Sequence, residues 1–166
     1  MTRVREHLVG RGVEFEEISH STAYTGIDEA RAMGIEADDV AKTVVVRAGD
    51  GFVLLAVPAS RRLAMRRVQS AVGDNHARLA TEDEIEGAFP GFQLGALPPL
   101  GSLLDRPLYV DPELLRHDTI VFAAGTQTDS VRVRTADLFG GEPFSEAPLT
   151  RHPEGEDEDE DEAPDG

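Results

Sequence analysis

The feature that most constrains this chain is a pair of apolar, β-branched runs at residues 42–48 and 52–57, separated by Gly49-Asp50-Gly51. Glycine and aspartate tolerate the left-handed backbone that a tight hairpin turn requires, so the pattern predicts two antiparallel strands. Neither run alternates apolar with polar, which predicts that both strands are covered on two faces. The rest of the chain must then supply a layer on each side of this hairpin. At the head of the first strand stands Lys42, the only lysine beside fifteen arginines. An ammonium is a compact charge on a flexible stem whose pKa shifts when it is desolvated, whereas guanidinium is a planar fork that stays charged. Lys42 is accordingly a candidate functional group, set against its other role as an ordinary strand-edge cation.

Material for the covering layers lies on either side. Val4, Leu8 and Val9 recur at helical spacing before Gly10, predicting a helix over residues 2–10. Residues 13–18 alternate apolar with acidic, as a half-buried strand does. Residues 19–25, including His20, Thr22 and Tyr24, form a hydroxyl-rich loop of the kind that can line a cleft. A helix follows over 26–34, with acids in its first turn and Gly34 as its stop. Beyond Pro58, Ser60 reads as the N-cap of a helix with Ala64, Met65, Val68, Ala71 and Val72 on one side and Arg62 and Arg66 on the other. With Arg61 and Arg67 they form a positive ridge suited to phosphates, or a solvated face balanced by nearby acids.

Thr81-Glu82-Asp83-Glu84 is a capping box that opens a helix through Phe89, after a short strand at 79–80. The stretch from Gly95 to Gly101 contains Pro98 and Pro99, which excludes regular helix and disfavours a central strand. It is a rigid loop whose glycines let backbone N–H groups approach a ligand closely, a candidate cradle for a carbonyl or phosphate as well as a plain turn. Strands at 107–110, 119–124 and 130–134, a short helix opened by Asp111-Pro112, and a last helical turn capped by Thr135 complete the pattern. Hairpins mixed with scattered helices indicate one α+β domain over residues 1–140, built on a mixed, largely antiparallel sheet with peripheral helices. Residues 141–166 read as linker and acidic tail.

Residues 153–166 hold nine acids and no base, so the remainder carries only −7 of the formal charge of −16. Such a block has nothing to bury and is expected to be disordered, serving solubility or an acidic docking role. With no cysteine, disulfides, thiolate zinc sites and cysteine nucleophiles are excluded. No apolar run is long enough to span a bilayer, so the expectation is a soluble, cytoplasmic protein with no membrane partner. The Walker, G-x-G-x-x-G and G-x-S-x-G patterns are all absent, and the five histidines are dispersed, so no metal or cofactor is expected.

In order along the chain, the His20–Thr25 loop, Lys42 opening a strand, the Gly49-Asp50-Gly51 turn, the Gly95–Gly101 loop with Pro98, and Ala123-Ala124-Gly125 before a last hairpin resemble the YbaK/EbsC family. Those proteins are aminoacyl-tRNA deacylases related to the editing domain of bacterial prolyl-tRNA synthetases and to free-standing trans-editing factors. Ala96 and Ala124 stand where the family pattern has glycine. The resemblance implies hydrolysis of the ester between a small mischarged amino acid and the 3′-terminal adenosine of tRNA. It implies that Lys42 holds the phosphate or ribose end of that adenosine and that backbone N–H groups near Gly101 receive the ester carbonyl. His20, Thr22, Tyr24, Gly95, Pro98 and Gly125 would form the substrate site, with Tyr24 and Thr22 bordering the amino-acid pocket. The expected partners are aminoacyl-tRNA and an aminoacyl-tRNA synthetase, not DNA. Charge and spacing add Arg62 and Arg66 as contacts to tRNA phosphates. The alanine replacements leave open a non-catalytic module that binds a nucleotide or aminoacyl-adenosine on the same fold.

Overall fold

The computed structural model describes residues 2–151. The chain runs α1 (Thr2–Gly10), β1 (Phe15–Ser19), α2 (Gly26–Met33), a 3₁₀ turn (Ala37–Asp39), β2 (Ala41–Ala48) and β3 (Gly51–Pro58). It continues through β4 (Arg62–Leu63), α3 (Met65–Val72), β5 (Arg78–Leu79), α4 (Glu82–Ala88), α5 (Gly101–Leu104) and β6 (Leu108–Val110). It ends with α6 (Pro112–Leu115), β7 (Thr119–Thr126), β8 (Asp129–Arg134), α7 (Thr135–Gly140), β9 (Ser145–Glu146) and β10 (Thr150–Arg151).

The central hairpin forms as expected, with β2 and β3 antiparallel from Ala41↔Pro58 to Ala48↔Gly51. It lies inside a mixed five-stranded sheet of order β5-β2-β3-β6-β9, in which β6 runs parallel to both β3 and β9. A second, antiparallel sheet has the order β1-β8-β7. Successive side chains of a strand point to opposite faces, and the hairpin uses both. Val45, Leu54 and Ala56 enter the main core with Val4 and Leu8 of α1 and Ile120, Phe122 and Val131 of the second sheet. Val46, Leu55 and Val57 enter a second cluster with Val68 of α3 and Leu149. Continuous apolar runs in both strands thus correspond to coverage on both faces, and the fold is α+β.

Two local expectations change. Ser60 does not cap a helix; its hydroxyl donates to Asp38 Oδ1, and α3 begins only at Met65 with Ala64 as N-cap. Arg62 sits on β4 opposite Arg151 of β10, so it shares no helical face with Arg66. The folded chain also continues past residue 140. Asp111 Oδ2 accepts from the backbone N–H groups of Leu149 and Thr150 and from the Thr150 hydroxyl at 2.9–3.1 Å. This carboxylate pins β10 against β4 and seats fully buried Leu149 in the second core, so residues 141–151 are part of the domain and not linker. The acidic tail lies outside the described residues.

Candidate active site

The site starts from a close approach that only glycine permits. A Cβ on Gly26 would lie 2.7 Å from Ala59 Cβ and 3.3 Å from Lys42 Cβ, so the first residue of α2 rests directly on the ends of β2 and β3. Thr25 caps the helix by accepting from the Asp28 N–H at 3.0 Å, and Gly34 ends it in the left-handed conformation. Gly26, Glu29 and Ala30 then form the inner face of α2, three and four residues apart. Glu29 is 4% exposed on that face.

Opposite α2, the Gly95–Leu97 segment is tied to the β7–β8 turn. The Gly125 N–H donates to Ala96 O at 2.9 Å, the Gln93 N–H to Gly125 O at 3.0 Å, and the Gln127 side chain to Leu94 O at 2.9 Å. Gly95 has φ +79°, and a Cβ there would fall 2.1 Å from Tyr24 O, so the loop can lie against the Tyr24 backbone only as glycine. Between these walls is a cleft of about 250 Å³ lined by Tyr24, Glu29, Lys42, Thr43, Gly95 and Leu97, among others.

The electrostatics of this cleft are unusual in one respect: it holds a cation and an acid that do not pair. No described residue forms a hydrogen bond or ion pair with the Lys42 ammonium, and burial lowers its pKa. Desolvation pushes the Glu29 carboxyl up to about 7, opposed by the hydrogen bond from Ser130. The Ser130 hydroxyl meets Glu29 Oε2 at 2.5 Å and His20 Nε2 at 2.8 Å, while His20 Nδ1 lies 2.7 Å from Ser21 O. The Thr43 hydroxyl is buried with no hydrogen-bond partner, and neither the Gly95 nor the Leu97 N–H donates to a described residue.

Of the expected site residues, Lys42, Tyr24 and Gly95 meet on the cleft wall. His20 stands two hydrogen bonds behind it, through Ser130 to Glu29, and Gly125 and buried Pro98 support the loop. Thr22 is exposed and is not part of the wall. Gly101 is not among the residues that line the Lys42 cleft. It opens α5, where a Cβ would lie 2.5 Å from Arg106 O, beside buried Glu142. Arg62 and Arg66 lie away from the wall, on β4 and α3. Glu29, Thr43 and Ser130 were not singled out from the sequence. The available signal for Glu29 was its place with Gly26 and Ala30 on the apolar face of a short helix, where an acid is out of character. A larger depression of about 570 Å³ runs past Arg11, Glu14 and Asp137 on another face and contains none of the expected residues.

Residues 20–140 match the aminoacyl-tRNA editing domain family. The proline–tRNA ligase of Heliobacterium modesticaldum is 30% identical over 128 residues, 68% of this chain and 22% of that enzyme. That of Thermosipho melanesiensis is 28% identical over 86 residues, 51% of this chain and 15% of the ligase. The chain thus spans about a fifth or less of these ligases. A solved structure described as a candidate trans-editing enzyme for prolyl-tRNA synthetase has TM-score 0.74 at 29% identity, covering 91% of this chain and 96% of that one. The hypothetical protein APE2540, at 21% identity, shares the fold with TM-score 0.78 over 90% of this chain and 99% of its own. The matched segment contains the Glu29–Lys42–Gly95 cleft and every strand of the two sheets that frame it except the edge strands β1 and β9, and the chain belongs to the aminoacyl-tRNA editing domain family.

Proposed function

We propose that this chain is a trans-editing deacylase that hydrolyses the ester of a small mischarged amino acid on tRNA. The observation that carries the reading is Lys42: a half-buried ammonium with no described partner, set across a small cleft from a glycine-dependent loop. An uncompensated buried cation costs stability, and such a cost is retained where a ligand supplies the counter-charge. The terminal adenosine of tRNA supplies it through its phosphate.

An aminoacyl ester is already activated, so the site has to orient the ester and water and stabilise the developing oxyanion. Lys42 holds the phosphate or ribose end. The N–H groups of Gly95 and Leu97, which have no described acceptor, are assigned to the ester carbonyl in place of those near Gly101. Tyr24 borders the mouth of the cleft, and Ala41, Leu97 and Ala123 give its interior a small apolar lining that suits a short side chain. Arg62, exposed on β4, and Arg66 on α3 are assigned to acceptor-stem phosphates.

Incubating the protein with tRNAs mischarged with alanine, serine or cysteine tests this. Turnover of at least one of them, reduced about a hundredfold or more in Lys42→Ala, is the expected result. Binding that depends on Lys42 without turnover would instead make the chain a recognition module.

A further inference from the structure

We propose that Glu29 is the base that activates the attacking water, and that Ser130 couples it to His20 as a proton store. The inference rests on the deacylase reading of the cleft and adds a group and a proton path to it.

The hydrogen bonds dictate where protons can sit. The Ser21 carbonyl can only accept, so His20 Nδ1 carries a proton and donates. If His20 is neutral, its Nε2 is an acceptor. The Ser130 hydroxyl must then donate to His20, and Glu29 must be a carboxylic acid donating to Ser130. If His20 is an imidazolium, the chain reverses: Nε2–H donates to Ser130 and Ser130 donates to a Glu29 carboxylate. Both arrangements contain the same protons and satisfy every hydrogen bond. They interconvert when one proton passes from Glu29 to Ser130 as another passes from Ser130 to His20. Glu29 can therefore be ionised inside the protein without shedding its proton to water, and the compensating charge appears on His20.

Glu29 reaches the substrate side as well. It lines the cleft with Lys42 and Gly95, and no described residue donates to its Oε1. The titratable groups facing it are Lys42 from β2 and, from the loop before α2, Tyr24 and, through Ser130, His20. β7 and the 95–97 loop present apolar and backbone groups there, and β8 presents the Ser130 hydroxyl.

In the reaction, the carboxylate takes a proton from water as the water oxygen bonds to the ester carbon. The resulting tetrahedral oxyanion is held by the loop N–H groups. It collapses with cleavage of the bond from carbon to the ribose oxygen, and Glu29 returns the proton to that oxygen. The products are the free amino acid and the tRNA hydroxyl, with Glu29 again a carboxylate. A carboxyl near pH 7 is suited to act first as base and then as acid.

The test pairs single-turnover deacylation between pH 5 and 9, using the three mischarged tRNAs, with NMR titration of the labelled Glu29 carboxyl and His20 imidazole in the free protein. The wild type is expected to show a rate that rises with pH through an apparent pKa of about 7. Glu29→Gln, which keeps the shape and a bond to Ser130, should lower the plateau by about 10²–10⁴-fold and lose that limb, with half-saturating tRNA unchanged. Ser130→Ala removes the bond that lowers the Glu29 pKa, so its limb should move to higher pH, and the coupled titration of the two side chains should become independent.

A Glu29→Gln variant with wild-type rates overturns the inference, as does one that only needs more tRNA, which would make Glu29 a binding group. An unmoved limb and intact coupling in Ser130→Ala overturn the relay. Wild-type protein that leaves all three tRNAs intact while the two side chains still titrate together removes the deacylase reading, and the base role with it, but not the proton coupling.

Discussion

Two chains of histidine, serine and glutamate run through this fold with the same connectivity and different surroundings. At the cleft, His20 Nε2 meets Ser130 Oγ at 2.8 Å, and Ser130 meets Glu29. Some distance away, His7 Nε2 meets Ser102 Oγ at 2.8 Å, and that hydroxyl donates to Glu142 Oε1 at 2.8 Å. Glu142 also accepts from the Ser102 N–H at 2.7 Å and forms an ion pair with Arg11 at 2.9 Å. With so many donors aimed at it, Glu142 can only be an acceptor, and His7 is left to donate Nε2–H. That cluster has one proton arrangement. The cleft cluster has no guanidinium, and the Ser21 carbonyl fixes the far side of its imidazole, so it has two. A cation beside the acid and a carbonyl behind the ring separate a structural strut from a group able to exchange protons.

The largest test of this contrast removes the cation. The Glu142 side chain is fully buried and that of Arg11 partly so, so Arg11→Met strands a buried carboxylate, at an expected cost of about 3–5 kcal/mol in urea unfolding. Deacylation at a temperature where the variant stays folded should be unchanged, because Arg11 touches nothing on the cleft wall. A variant as stable as the wild type would mean that the two glutamates are not held differently.

The converse holds at Glu29, whose burial is uncompensated by a cation. Its folded pKa is raised from 4.5 to about 7. The proton therefore binds more tightly in the native state, and native stability falls as pH rises from about 4.5 through 7. By linkage, the loss reaches about 3 kcal/mol once the group is ionised in both states. Glu29→Gln lacks that loss. Unfolding free energies compared at pH 5 and pH 8 should show the variant gaining on the wild type at the higher pH by roughly this amount. Parallel pH profiles would break the comparison.

Each region also has a glycine that admits no side chain; both were expected at the site, and of the two Gly95 lines the Lys42 cleft while Gly101 does not. The Gly95–Gly101 loop was legible as rigid and glycine-dependent from its two prolines alone. Which of its glycines lines the Lys42 cleft depends on the β7–β8 turn that grips residues 93–96, and no local pattern encodes that grip. Other misses have the same origin. β4 and β10 are two residues long and form only because they meet each other across most of the chain, so Arg62 reads locally as helix and residues 141–151 as linker. Glu29 was hidden because an acid in the first turn of a helix already has a local explanation in the helix dipole. By contrast, the central hairpin, α1, α2 and the Thr81 capping box arise from short-range chemistry and appear where the sequence puts them.

Alanine at the two glycines separates their roles. At Gly101 the added methyl meets the Arg106 carbonyl, an overpacking expected to cost about 1–3 kcal/mol with little effect on rate per folded molecule. At Gly95 it meets the Tyr24 carbonyl and shifts the cleft wall, so the rate should fall about a hundredfold while stability changes by a similar 1–3 kcal/mol or so. Urea unfolding and single-turnover rates on the same preparations distinguish the two.

The smallest effect expected is also the most discriminating, because it exchanges only the histidines. His7→Gln gives up one hydrogen bond to Ser102, about 0.5–1.5 kcal/mol. Desolvation holds the His7 pKa below its usual 6.5, so a proton binds the native ring less well than the unfolded one. In the wild type this component of stability is complete above about pH 6.5 and is lost as pH falls through the lower native value, a loss that His7→Gln abolishes. The catalytic pH profile should stay that of the wild type, since Glu142 exchanges no proton with the cleft. His20→Gln removes the imidazole that the Ser130 hydroxyl links to Glu29, so the rising limb should change position or steepness. If both substitutions leave the profile alone, the two clusters are equivalent struts, and the carbonyl at Ser21 has no catalytic consequence.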